Sequence, residues 1–324
     1  MRPRVVLVFA IVSILLGGAL LVPAAYARLI NDSTEPGSAA PTPEAAPLSP
    51  PPPPTLAAGP VSIDLGPDSF VSWALLDRES GEISGSKNIK ATNSTESMIK
   101  IWFVADYLRQ LGDKEPPEGL LRFGSLAIRD SDDDATNVIY RAAGGEPSLD
   151  RLITMCGLTE TKKVIPPNQR TVWWSYTAMS ARDAVRMGEC VKSGKAAGPK
   201  WTKWVLDEMT KVRGTTAAKD QQLRRGGGRW GIIDGLPEEL LAQGPVGIKN
   251  GWTMIYADMK WHINCLAVAD DWVLAVLMRY PHGKGLDFGS AVCRSVTEQL
   301  VTPQPGAVLK VPQPLVPEQP PAQG

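Results

Sequence analysis

Two apolar runs near the end of the chain, residues 261–269 and 272–280, are separated only by Asp270 and Asp271. Runs of this length broken by a two-residue acidic turn predict a β-hairpin. A two-stranded hairpin is marginal in water and needs further strands and covering helices. Candidate partners lie at 247–250 and, from the other end of the chain, at 71–77 and 82–85 around a turn at Ser80–Gly81. Between these ends the pattern is helical. Met98, Ile101, Trp102, Ala105 and Leu108 recur at helical spacing, with Asn93 and Glu96 placed as a capping box. Leu149, Leu152, Ile153 and Cys156 form a second helical stripe that stops at Gly157. Ser180 caps a third with Asp183 at its N3 position, and Trp201, Trp204, Val205 and Met209 mark a fourth. A last helix carries Phe288, Ala291, Val292 and Val296. Strands at both ends with helices between predict an α+β fold. In it one antiparallel sheet is flanked by the first and last helices, and a helical lobe leaves a cleft against it.

The ends bound the folded region. Arg2 and Arg4 precede an uncharged apolar run, 5–22, and then Ala25-Tyr26-Ala27, so residues 1–27 read as a signal peptide or a membrane anchor. Residues 28–60 are a Pro-rich linker with five consecutive prolines at 50–54, and 303–324 are a tail of the same kind. Such segments bury too little apolar surface to offset their ordering entropy and are expected to be disordered. The folded domain is therefore expected at 61–302, outside the cytoplasmic membrane, either secreted or anchored there. The chain has 324 residues, with 34 Lys and Arg against 34 Asp and Glu. That balance argues against a nucleic-acid partner. Two histidines, His262 and His282, leave little room for a metal site; no metal or cofactor is expected, and both read as structural.

The chemistry-bearing residues fall in three groups. Ser97 and Lys100 stand three apart at a helix start, on one face. The positive end of the helix favours developing negative charge, and a neutral Lys100 could take the hydroxyl proton. Ser131-Asp132-Asp133 follows, within an acidic run 130–134 that could equally be a solvated loop. Lys249-Asn250-Gly251, then Trp252, lies at a late strand. The order S-x-x-K, S-D-x, K-x-G, with 173–183 entering the next helix, resembles the class A β-lactamases and penicillin-binding proteins.

That resemblance spans 65–300 and implies a β-lactamase/transpeptidase-like serine hydrolase acting on β-lactams or D-alanyl cell-wall peptides at the cell envelope, with a monomer expected. It implies that Ser97 is acylated, that Lys100 is its proton partner and that Ser131 passes a proton to the leaving amine. Substrate would be held by Asp133, Lys249, Asn250, Gly251 and Trp252, with the backbone N–H groups of Ser97 and Trp252 forming an oxyanion hole. Three departures stand out. Asp133 replaces an amide and, ionised, can only accept hydrogen bonds. Asn250 replaces a hydroxyl. The loop 164–170 holds no carboxylate to activate water, and Glu160 lies too early. Deacylation is therefore expected to be slow; the alternative is a non-catalytic module that binds peptidoglycan or a partner protein. Four cysteines in an exported chain allow three pairings, of which Cys156–Cys190 and Cys265–Cys293 are expected. Trp173, Trp174, Trp252 and Trp261 could line a groove or pack the core, and the basic, glycine-rich stretch 224–229 reads as a mobile surface loop.

Overall fold

A computed structural model describes residues 53–221 and 226–302. In chain order the elements are β1 (Phe70–Asp77), β2 (Ile83–Gly85), β3 (Thr92–Ser94), a 3-10 turn (Glu96–Ile99), α1 (Lys100–Leu111), α2 (Glu118–Arg129), α3 (Asp133–Ala142) and α4 (Glu146–Met155). A second 3-10 turn (Trp174–Tyr176), β4 (Ala178–Ser180), α5 (Ala181–Lys192), α6 (Gly198–Met209) and the short α7 (Ala218–Gln221) follow. After a third turn (Gly231–Gly235) come the short α8 (Glu238–Leu241), β5 (Gly247–Ile248), β6 (Gly251–Ile255), β7 (Lys260–Val268), β8 (Trp272–Pro281) and α9 (Gly285–Leu300).

The hairpin is the centre of the sheet. β7 pairs with β8 from Lys260↔Pro281 to Val268↔Val273, so the reversal falls at Asp270–Asp271. β8 pairs on its other side with β1, which pairs with β2, and every pairing is antiparallel. The two ends of the chain thus meet in one sheet, as the strand distribution predicts. β7 and β8 are apolar along both faces because both are covered. On one face Gly188 of α5 sits against Leu266, Val268 and Val273. On the other Gly289 of α9 sits against Tyr280 and Ile263, and Cys265 is bridged to Cys293. The second disulfide, Cys156–Cys190, closes the helical lobe, so both pairings are the expected ones.

Several local readings are corrected. Asn93 and Glu96 form no capping box. Asn93 is a buried residue of β3, and its amide donates to Asn264 Oδ1 at 2.9 Å while Asn264 returns a bond to the Ser94 carbonyl at 2.8 Å. The acidic run is a helix start, not a free loop: Asp132 caps α3 by accepting from the Ala135 N–H at 2.7 Å, and Asp133 and Asp134 fill its first turn. Carboxylates there complement the positive end of the helix. Ser180 caps α5 by accepting from the Asp183 N–H, as its spacing predicts. The folded unit begins before the expected boundary at 61. Ala57 donates to the Leu300 carbonyl at 2.9 Å, Thr302 to the Thr55 carbonyl at 2.8 Å, and Leu56 is buried. Residues 1–52, where a signal peptide or anchor and most of the linker are expected, and the expected tail from 303 lie outside the described residues.

Cys265 and Cys293 are both fully buried and 28 residues apart. Releasing a loop of that size removes about 3–4 kcal/mol. Cys265→Ala with Cys293→Ala is expected to lower the midpoint of thermal unfolding by about 10 °C, read by circular dichroism; an unchanged midpoint would contradict the assignment.

Candidate functional site

The edge of the sheet is what builds the site. β5 and β6 both pair with β7, β5 at Ala267–Val268 and β6 at Lys260–Asn264, and the break between them falls on Lys249 and Asn250. Lys249 keeps one ladder bond, its N–H donating to the Leu266 carbonyl at 2.9 Å. Its fully buried side chain reaches back to donate to Ser131 Oγ at 2.8 Å and to the Asn250 carbonyl at 3.1 Å. Gly251 then passes against the turn that carries Ser97. A methyl group there would lie 2.6 Å from both the Met98 nitrogen and the Thr95 carbonyl oxygen, and 2.8 Å from the Ser97 nitrogen. Only glycine permits this approach, which brings the backbone of β6 beside the backbone of the Ser97 turn.

Ser97 lines a cleft of about 810 Å³. Ser131 and Asp132 line it from the loop before α3, Asp133 from the first turn of α3, Trp252 and Thr253 from β6, and Trp173 and Trp174 from the segment before β4. Lys100 opens α1 and is fully buried beneath this floor. Its ammonium donates to the Ser131 carbonyl and to Asp133 Oδ1 at 2.6 Å, and lies 5.3 Å from the centre of the Trp174 ring. Ser131 is thus gripped from two sides, its carbonyl by Lys100 and its hydroxyl by Lys249, and it holds a backbone φ of +56°. Burial pushes the Lys100 amine below its usual range, against the Asp133 carboxylate that holds it up. Burial lowers Lys249 further, and the Lys100 charge adds to the effect. Amines of this kind lose their protons more readily than an exposed lysine.

The residues expected from sequence fall into two sets. Ser97, Ser131, Asp133 and Trp252 line the cleft, and Lys100, Lys249 and Gly251 stand behind it in contact with Ser131, Asp133 or the Ser97 turn. Asn250 does neither: its buried amide donates to the Gly228 and Trp230 carbonyls at 3.0 and 2.8 Å, away from the cleft. The glycine-rich stretch is corrected by the same contacts. Gly226, Gly227 and Gly228 are buried, Gly226 lines the cleft and Gly228 packs on the Trp252 ring, while Arg224 and Arg225 lie outside the described residues. Trp261 stays off the cleft and donates to the His282 carbonyl at 3.2 Å. Glu160 pairs with Arg182 and accepts from Ser180, which commits it elsewhere. Sequence reasoning missed Glu96, which lines the cleft immediately before Ser97; its adjacency to that serine was the available signal.

The model of a β-lactamase enzyme family matches residues 121–222. No curated protein matches the chain. Among solved structures, a mutant of PBP-A described as an acyl-enzyme complex with penicillin G is 17% identical with a TM-score of 0.52, over 72% of this chain and 89% of that one. L2 complexed with relebactam is 15% identical with a TM-score of 0.55, over 72% and 90%. A β-lactamase from Streptosporangium roseum is 13% identical with a TM-score of 0.55, over 72% and 91%. At these identities the likeness establishes the fold alone, a β-lactamase-like one.

Gly251→Ala tests the close approach. Backbone on both sides must move to admit the methyl group, so the variant is expected to lose about 1–3 kcal/mol by urea unfolding. A variant as stable as the parent would show that β6 and the Ser97 turn are not in contact.

Proposed function

We propose that this protein is an exported serine hydrolase that reacts through an acyl-Ser97 intermediate with β-lactams or D-alanyl cell-wall peptides. The observation that carries the reading is that Ser97 and Ser131 line one cleft and that two buried lysines hold Ser131 there, Lys249 on its hydroxyl and Lys100 on its carbonyl. A neutral Lys100 takes the proton of Ser97 as the hydroxyl oxygen attacks the carbonyl carbon. The oxyanion is met by the N–H groups of Ser97 and Trp252, a reading supported by the close approach of Gly251 to the Ser97 turn; preorganised donors of this kind are worth about 3–4 kcal/mol each. Ser131 passes a proton to the leaving nitrogen, with Lys249 holding its oxygen. Lys249 supplies positive potential for a substrate carboxylate, and Asn250 takes no part because its amide is committed to carbonyl groups. The two disulfides support an oxidising, extracytoplasmic setting.

The ester is expected to persist. Of the carboxylates lining the cleft, Asp130 is tied to Arg213, Asp132 caps α3, Asp133 holds Lys100 and Glu96 is bonded to Ser94. The loop 164–170 contributes none. General-base assistance is worth about 10²–10⁴ in rate, so without it acyl-Ser97 turns over slowly. A second reading, a binding module that never acylates, is favoured by the same Lys100–Asp133 pair, since an ammonium held by a carboxylate is not a base.

Two measurements decide between these. Incubated with penicillin G, the wild-type protein is expected to gain one ligand mass that lasts for minutes by time-resolved mass spectrometry, while Ser97→Ala gains none. No adduct at any pH would favour the binding module, and an adduct cleared within seconds would place a working base in the cleft. Asp133→Asn removes the charge that holds Lys100 protonated. The pKa of Lys100 then falls further, its neutral form is present at lower pH, and the rising limb of the acylation rate is expected to move to lower pH.

A further inference from the structure

The acyl-transfer scheme leaves one carboxyl group of the cleft without a task. Glu96 directly precedes Ser97, is 3% exposed and holds a φ of +48°. Its Oε1 lies 2.7 Å from Ser94 Oγ. Ser94 Oγ lies 2.7 Å from His262 Nδ1, and His262 Nε2 lies 2.9 Å from Asp258 Oδ2. The chain of contacts runs from the cleft through β3 to β7 and ends at a partly exposed carboxylate. It is closed across the sheet edge, because His262 stands opposite Thr253 of β6 in register and the Thr253 hydroxyl also faces the Glu96 carboxyl.

Counting protons along this chain restricts its states. Each of the three contacts needs one proton, and Asp258 offers only acceptors. A neutral imidazole donates from Nε2 to Asp258 and presents a bare Nδ1. The Ser94 hydroxyl must then give its single proton to Nδ1, and the contact with Glu96 can be filled only by a carboxyl proton. The other solution is an imidazolium that donates from both nitrogens, with the hydroxyl donating to ionised Glu96. Both solutions hold the same number of protons. Removing one more leaves one of the three contacts as two facing lone pairs.

We propose that Glu96 and His262 hold one proton between them through the Ser94 hydroxyl, and that this proton makes Glu96 the positioning residue of the Ser97 turn. The proposal rests on the acyl-transfer reading for its catalytic consequence, though not for the proton itself. With the proton in place, the Ser97 turn is tied through Ser94 to β7, the strand on which β6 and its Trp252 N–H are laid. With the proton gone, one tie is lost and a bare carboxylate stands beside the position where the oxyanion forms, opposing it.

The surroundings favour the neutral pair. Burial lifts the Glu96 carboxyl to about 7, with the Asp133 charge adding to the lift and Lys100 and the Ser94 and Thr253 hydroxyls opposing it. Tyr176 faces the same carboxyl from the second 3-10 turn. Burial lowers His262; Arg279 of β8 and Lys260 of β7 add to that, and Asp258 opposes it. A carboxyl raised in this way is neutral below about 7 and charged above it, so the favourable state is the one present at lower pH.

The experiment compares wild type with Glu96→Gln, whose amide N–H donates to Ser94 at every pH. Acylation by penicillin G is timed by mass spectrometry from pH 6 to 9. Glu96 also helps to hold Lys100 up, so the Lys100 limb is fitted separately in each protein and divided out before the ratio of rates is formed. That ratio, Gln variant over wild type, is expected to be near one at pH 6 and to reach about tenfold by pH 8, where a carboxyl of pKa 7 is about one-tenth neutral. Ser94→Ala, which cuts the chain, is expected to slow acylation at pH 6 already. In parallel, carbon-13 NMR of the full-length protein, with Glu96→Gln to assign the signal, reads the Glu96 midpoint directly. A ratio constant from pH 6 to 9 in a protein that does acylate would overturn the positioning role and leave the acyl-transfer reading intact. Absence of acylation at every pH would remove that reading and the positioning role together. A Glu96 midpoint below 5 together with a His262 ring that is neutral at pH 6, read by nitrogen-15 NMR, would overturn the shared proton whatever Ser97 does.

Discussion

Two ammonium-bearing side chains buried under one cleft set the terms for the rest of the molecule. Lys100 and Lys249 are both shielded from water, and an uncompensated buried charge costs several kcal/mol. The surrounding parts are those that reduce this cost. Asp133 meets Lys100 directly, the Ser131 and Asn250 carbonyls accept from the two amines, and the faces of Trp174 and Trp252 lie over them. Ser131 accepts its left-handed backbone in exchange for two charge-assisted hydrogen bonds. The same burial weakens both amines as acids' partners in water, so the arrangement that costs stability is also the one that frees a base. Structural and chemical roles are therefore not separable at these residues.

The sheet turns this electrostatic arrangement into a geometry. A continuous edge strand would have pointed alternate residues up and down and left nothing to face Ser131. Splitting the edge at Lys249 and Asn250 lets one residue reach down to Ser131 while the next anchors the segment 228–230. Gly251 resumes the ladder where the backbone of β6 touches the backbone of the Ser97 turn. The Cys265–Cys293 bridge fixes β7, the strand against which both halves of the edge are laid, onto α9.

Most of the frame was legible because it rests on long, repetitive patterns. The 261–269 and 272–280 runs carry enough apolar residues that no local competition alters them, and the disulfide pairs follow where those elements lie. What was illegible was carried by single polar side chains. Asn93 and Glu96 have the spacing of a capping box, but Asn93 is claimed by Asn264 and Glu96 by Ser94, partners 171 and 2 residues away. Asn250 has the position of a ligand-binding residue, yet carbonyl groups 22 and 20 residues upstream take its amide. The glycines 226–228 look like a loose loop by composition and are packed because a tryptophan ring from another element needs backbone without side chains beneath it. For Asn93, Asn250 and the glycines, tertiary partners outbid the local preference, and for Glu96 a local partner two residues away does.

The closure of the two ends has a mechanical consequence. Thr55 faces Thr302 and Ala57 faces Leu300 in an antiparallel bridge, so the chain enters and leaves the folded unit on the same side. Tension between the ends therefore acts on these contacts in series, one after another, as in a zipper, and not on all of them at once. Bonds loaded in that order yield one at a time at low force. The bridge opens first and lengthens the chain by a few residues, while β1 and β8, each laid along eight neighbours, carry no load until it has gone. The seam at Leu56 and Val301 thus acts as a latch that lets the ends be pulled without the cleft being disturbed.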